Sequence, residues 1–202
     1  MSRGRITCMC RWGDRVCLGI ESQGVYLLSM KTPGGAAYEV VDKSSGLMDG
    51  RVRGLGAMGN AVYIGLPKAL MKWDRKTKAA TLVMNMESGL AGVPLKPDSS
   101  IAGITGDLGV TNLYILTDSQ EAVHGLKSGS VEGTYSLLRL HLPDGRWTAV
   151  ADPLPIPYQS AWFLVIMQDE QTMFLEGLAR GHHAYAYLCR FKAQSGELTV
   201  FG

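Results

Sequence analysis

The 202-residue sequence predicts an all-β fold made of tandem four-stranded antiparallel meanders, on three observations. Short apolar runs recur along the chain, each flanked by strand-like stretches. Turn residues punctuate those stretches at close intervals. Helix signals are almost absent, since the one candidate stretch, Met84 to Leu90, is too short and bounded by glycine.

The runs are Val16-Cys17-Leu18-Gly19, Val62-Tyr63-Ile64-Gly65, Leu113-Tyr114-Ile115-Leu116 and Met173-Phe174-Leu175-Glu176. Their first residues are 46, 51 and 60 positions apart, near the 40–50-residue period of propeller blades. A strand-like stretch precedes each: Ile6 to Cys10, Val52 to Met58, Ile101 to Ile104 and Trp162 to Met167. Between them lie short turns: Gly13-Asp14, Gly59-Asn60, Asp107 to Gly109 and Gln168 to Glu170. Such residues suit hairpins because they accept unusual backbone angles or bond their own backbone. Third strands follow at Val25 to Ser29, Leu70 to Asp74, Tyr135 to Leu140 and Tyr185 to Phe191. After turns such as Pro33-Gly34-Gly35, Asp144-Gly145 and Ser195-Gly196, fourth strands close each unit at Tyr38 to Val41, Ala80 to Met84, Trp147 to Val150 and Glu197 to Phe201.

Consecutive apolar residues in the second runs fit strands covered on both faces, whereas a half-exposed strand would alternate. That is the situation of an inner strand in a blade between two neighbouring blades, and the more polar fourth strands suit an outer edge. The expected fold is therefore a β-propeller of about four blades, one domain over residues 1–202 with blades near 5–44, 51–86, 101–151 and 161–202. Three arrangements satisfy it: a closed four-bladed ring, part of a larger ring completed by another chain, or a segment of a longer protein. An open array would leave apolar blade faces exposed.

The segment Gly59-Asn-Ala-Val-Tyr-Ile-Gly-Leu-Pro-Lys-Ala-Leu-Met-Lys-Trp-Asp-Arg-Lys-Thr77 resembles the repeat of two-component regulator propellers and related sensor propellers. Gly13-Asp-Arg-Val-Cys-Leu-Gly-Ile-Glu-Ser-Gln-Gly-Val-Tyr26 is similar to the same pattern, and Ser45-Gly46-Leu47 and Ser88-Gly89-Leu90 match the triplet that leads into its next blade. Cys17 and Tyr63 stand where that repeat has Trp, and Leu66 where it has Thr. The resemblance covers the first two units and implies a propeller with a sensor-like role. It carries no catalytic residue, because the repeat is structural.

Composition narrows the function classes. With 46% apolar and 19% charged residues the chain is a globular protein, and a net charge of +2 without a basic run does not point to nucleic acid. No segment approaches the roughly 20 apolar residues of a membrane span. Cys8, Cys10, Cys17 and Cys189 all lie in strand-like stretches and lack the paired C-x2-C spacing of a thiolate site, so they read as buried small hydrophobes. The N-terminus has two charges and no long apolar core behind them, which is not a signal peptide. The expectation is a soluble protein, cytoplasmic if the chain is complete and periplasmic if it is a piece of a sensor.

Function is sought where regularity fails. The connection Asp118 to Gly133 is long, Gly/Ser-rich and charged, and such loops are uncommon and often functional. Its Asp118, Glu121, His124 and Lys127 are candidate binding residues, with Arg180, His182 and His183 from the last unit's loop on the same edge. The adjacent His182 and His183 point opposite ways on an extended chain, which disfavours a shared metal ion, so no metal and no cofactor is expected. His141, ahead of the Leu-Pro-Asp-Gly turn, has no evident partner and reads as exposed. Nucleophile-elbow, zinc-protease, P-loop and dinucleotide motifs are missing. The reading is a non-catalytic ligand- or protein-binding or scaffolding module, the recognition part of a sensor, whose ligand is a protein, a small molecule or a saccharide. A second copy completing the ring is the other expected partner. The alternative is a propeller-type glycoside hydrolase or polysaccharide lyase with carboxylates such as Asp118, Glu121 and Glu176 on the loop-bearing face.

Overall fold

The structure, a computed structural model, describes residues 4–31, 38–89, 93, 99–106, 111–118, 135–152, 154, 160–167, 172–179, 185–192 and 194–201, with backbone alone for 160–187. The described residues form sixteen strands and one 3-10 turn. The first sheet holds β1 (Ile6–Trp12), β2 (Arg15–Ile20), β3 (Gly24–Ser29) and β4 (Tyr38–Val41). The second holds β5 (Gly54–Met58), β6 (Ala61–Leu66), β7 (Ala69–Asp74) and β8 (Ala80–Asn85). The third holds β9 (Ser100–Gly106), β10 (Asn112–Asp118), β11 (Tyr135–His141) and β12 (Arg146–Ala151). The fourth holds β13 (Ser160–Met167), β14 (Thr172–Ala179), β15 (Tyr185–Lys192) and β16 (Glu197–Phe201). In every sheet the strands lie in chain order and pair antiparallel, so each sheet is an up-and-down meander.

The hairpins form where glycine permits them. Gly13 (φ 58°) and Gly59 (φ 56°) open the two-residue turns that set Trp12 opposite Arg15 and Met58 opposite Ala61. The third strand of the second sheet ends in a polar turn. Asp74 accepts from the backbone N–H groups of Lys76 at 2.8 Å and Thr77 at 3.2 Å, closing the turn into β8.

The chain divides into two compact units, Met1–Asn85 and Met86–Gly202. In the first, β1 and β5 lie side by side, and the sheets they lead pack face to face. Cys17, Val25, Leu27 and Val41 of the first sheet meet Leu55, Val62, Ile64, Met71 and Trp73 of the second in one buried cluster. The linker crosses this seam on a 3-10 turn, Lys43–Ser45, capped by Asp42 and ended by Gly46 at φ 90°. Leu47 and Val52 then drop into the core. In the second unit β9 and β13 are neighbours, and Tyr114, Leu116, Tyr135, Leu137, Leu154, Cys189 and Phe191 form the core.

Among the second strands whose side chains are described, coverage differs from expectation in β2. All six residues of β6 are buried, as are the five central residues of β10. In β2 only Cys17 and Gly19 are buried, while Val16, Leu18 and Ile20 on the opposite face are half-exposed. Among the described residues, β2 is therefore fully buried on one face only.

Candidate functional site

An up-and-down path brings the start of β9, the end of β10, the start of β11 and the end of β12 to one edge of the third sheet. Residues 119–134 leave from that edge. Asp118, the last residue of β10, sits opposite Ser100 on β9 and Tyr135 on β11. The Ser100 hydroxyl donates to Asp118 Oδ1. Two strands along, the Ser136 hydroxyl donates to Asp152 Oδ1 at 2.6 Å, just past the end of β12. Between these pairs the buried Thr117 donates its hydroxyl to the Ser136 carbonyl at 3.3 Å. Register shifts at Leu116/Thr117 and Leu137/Leu138 mark bulges close to this edge, and bulges re-aim side chains near the ends of a sheet. The Leu154 N–H donates to the Tyr135 carbonyl at 2.7 Å, tying the following linker back onto the sheet.

Two serine–aspartate pairs thus stand on one sheet edge. A carboxylate has about four lone-pair sites, of which each serine bond uses one. Asp118 is the one candidate binding residue whose surroundings are defined. Glu121, His124, Lys127, Arg180, His182 and His183 lie outside the described residues, as does the side chain of Glu176. Asp152, Ser100 and Ser136 were not foreseen; the signal available in the sequence was a hydroxyl or carboxylate at the edge end of each strand of one unit.

His141 departs from expectation. Its Nδ1 lies 2.7 Å from Asp144 Oδ1, and the residue is half-buried. The i,i+3 spacing across the β11–β12 turn brings the two together. The contact, with a further hydrogen bond from the Arg146 N–H, holds the Asp144 carboxyl below the usual aspartate range. This pair sits at the sheet edge opposite the serine–aspartate pairs.

All four cysteines are free. Cys10 and Cys17 face each other across β1 and β2, and the hydrogen bond they share, with burial, pushes the Cys10 thiol up. Burial raises Cys8 as well, and pushes Cys189 up to about 11. Cys17 and Cys189 are fully buried, Cys8 and Cys10 partly so. Among the described residues no group of three or more His, Cys, Asp or Glu side chains is placed to hold a metal ion. No helix among them is long and apolar enough to cross a membrane.

No family model matches the chain, and no curated protein matches it. Solved structures do. Hydrazine synthase from Kuenenia stuttgartiensis is similar with a TM-score of 0.58 at 11% identity, over 100% of this chain and 50% of that one. TolB from Acinetobacter baumannii gives 0.55 at 13%, over 98% and 44%. The extracellular domain of a B. thetaiotaomicron protein described as a one-component or hybrid two-component system gives 0.52 at 16%, over 96% and 22%. These are propeller-type proteins, and with the four meander sheets they place the chain in the β-propeller fold class. The chain spans between about a fifth and a half of their length. At such identities the likeness concerns the fold alone.

Proposed function

We propose that the chain is a non-catalytic ligand- or protein-binding propeller module, with the loop-bearing edge of the third sheet as its binding edge and a recognition role of the sensor kind. The observation that carries this reading is the pairing of Ser100 with Asp118 and Ser136 with Asp152 where residues 119–134 depart. Fixed acceptors on a rigid sheet edge beside a long connection suit recognition, because the scaffold orients the polar groups before the ligand arrives. The repeat-like sequence of the first two sheets and the similarity to an extracellular domain of a component system support the sensor-like part. Residues 119–134 and 180–183 supply Glu121, His124, Lys127, Arg180, His182 and His183 as further contacts.

The test uses two probes, a soluble glycan array and a phage-displayed peptide library, against the intact chain. The expected result is retention of one probe class, weakened about tenfold or more by the Asp118→Ala/Asp152→Ala pair, since each lost charged hydrogen bond is worth ~1.5 kcal/mol or more. The same experiment scores the hydrolase or lyase alternative. New reducing ends or unsaturated products from a polysaccharide, abolished by Asp118→Ala, would overturn the non-catalytic reading.

A further inference from the structure

Three of the four cysteines gather at a place that the binding edge does not use. Cys8 and Cys10 lie two apart on β1 and Cys17 lies on β2, so all three side chains leave the first sheet on the face that packs against the second. Cys10 stands directly opposite Cys17, and Cys8 opposite Gly19. A Cβ at Gly19 would lie 2.6 Å from the Cys8 Sγ, so that glycine leaves the room the sulfur fills. The Cys10 and Cys17 thiols share a hydrogen bond, and the Ala57 backbone on β5 bonds the Cys10 sulfur from the facing sheet. Cys17 is fully buried, whereas Cys10 is half-buried. A reachable thiol and its buried neighbour are thus already in contact.

Directly opposed residues of an antiparallel pair have Cα atoms about 4.5–5.5 Å apart, within the ~4.4–6.8 Å that a disulfide spans. Diagonal neighbours lie about 7–8 Å apart, at or beyond that limit. Register therefore selects Cys10 over Cys8 as the partner of Cys17. We propose that Cys10 and Cys17 form a reversible cross-strand disulfide, closed by an oxidant of the peroxide class and reopened by thiols. In the first step the Cys10 sulfur attacks one peroxide oxygen. An S–O bond forms, the O–O bond breaks, and the leaving hydroxide takes the thiol proton as water. The Cys17 sulfur then attacks the Cys10 sulfur. The S–S bond forms, the S–O bond breaks, and the second hydroxide leaves as water with the Cys17 proton. Two thiols thereby give up two electrons, and one hydrogen peroxide becomes two waters. Its bond to Cys17 and its burial raise Cys10, so the first attack is the slow step. The hydrogen bond from Cys10 holds Cys17 below the ordinary thiol range against its burial, and Arg15 adds to that effect. With the second sulfur already in place, bridging outruns further oxidation of Cys10. This site lies in the first sheet and is independent of the binding edge on the third.

Hydrogen peroxide added to the intact chain, followed by alkylation of the remaining thiols and tryptic peptide mapping, tests the proposal. Trypsin cuts after Arg11 and Arg15, so the bridge joins the peptide carrying Cys8 and Cys10 to the one carrying Cys17. The expected product is that link within one chain, and dithiothreitol should return both thiols. Cys8→Ser should form the link at the wild-type rate. Cys10→Ser should form it about tenfold or more slowly, because Cys8 reaches Cys17 only across the diagonal. Should Cys10→Ser lose its fold, Cys8→Ser decides, since Cys10 is then the one thiol in its peptide. Cys10 carried to the sulfinic acid without a link, a link through Cys8 or between chains, or four thiols left unreacted overturns the proposal.

Discussion

Trp12 ends β1 and fastens the first two sheets through several contacts at once. Its Nε1–H donates to the Gly59 carbonyl at 2.9 Å in the facing hairpin, and its ring meets Trp73 edge-on at 5.8 Å. The Arg75 and Arg15 guanidinium groups lie 5.4 and 6.0 Å from the ring centroid. Trp12→Ala should therefore cost about 3–5 kcal/mol, and Trp12→Phe about 1 kcal/mol through the lost hydrogen bond, both measured by urea unfolding. Nearby, Glu39 on β4 bridges Lys78 at 2.8 Å and Arg15 at 3.2 Å. Burial pushes its carboxyl up, but the bonds from Lys78 and Arg15 outweigh this and hold it below the ordinary 4.5. A depressed carboxylate stabilises the fold fully above its unfolded value and loses that contribution as pH falls through the folded value. The stability advantage of wild type over Glu39→Gln should thus be level above pH 4.5 and shrink below it, in urea melts across that range. None of these contacts was legible in the sequence. Trp12 and Gly59 are 47 positions apart, and no local pattern reports a contact made by packing two sheets. The serine–aspartate pairs were hidden for the same reason: Ser100 and Asp118 meet only once β9 and β10 are in register.

At the scale of elements the sequence was far more informative, because strands and turns are governed by neighbouring residues. Tyr38–Val41 and Glu197–Phe201 fall where turn residues and apolar alternation put them, and most other strands extend the expected runs by one or two residues, whereas β9, β10 and β14 extend by three or four and β5 begins at Gly54, two residues after the expected Val52. β1 runs on to Trp12 because the two-residue turn at Gly13 needs paired strand on both sides. The 3-10 turn at Lys43–Ser45 escaped notice, since three residues carry no periodicity. Its ending is nevertheless written in Ser45-Gly46-Leu47. Gly46 has φ 90°, and a Cβ there would lie 2.9 Å from the Ala80 carbonyl oxygen. Gly46→Ala should destabilise by about 1 kcal/mol or more. Gly59, with φ 56° and nothing within 4 Å of where a Cβ would lie, should accept asparagine at a cost within about 0.5 kcal/mol. Parallel thermal melts of the two variants check the contrast.

For the molecule as a whole, stability rests on blade-like sheets that need both faces covered. The second sheet meets that condition, with every residue of β6 buried, and the first does not, with Val16, Leu18 and Ile20 half-exposed. In sequence the second strands look alike, because Val16-Cys17-Leu18 and Val62-Tyr63-Ile64 are equally apolar. Composition records that a strand can be covered on both sides; it does not record which neighbour packs against it. Backbone hydrogen exchange, followed strand by strand, tests this most directly. The difference in coverage predicts slow exchange in β6 and faster exchange in β2. Protection of β2 equal to that of β6 would contradict it.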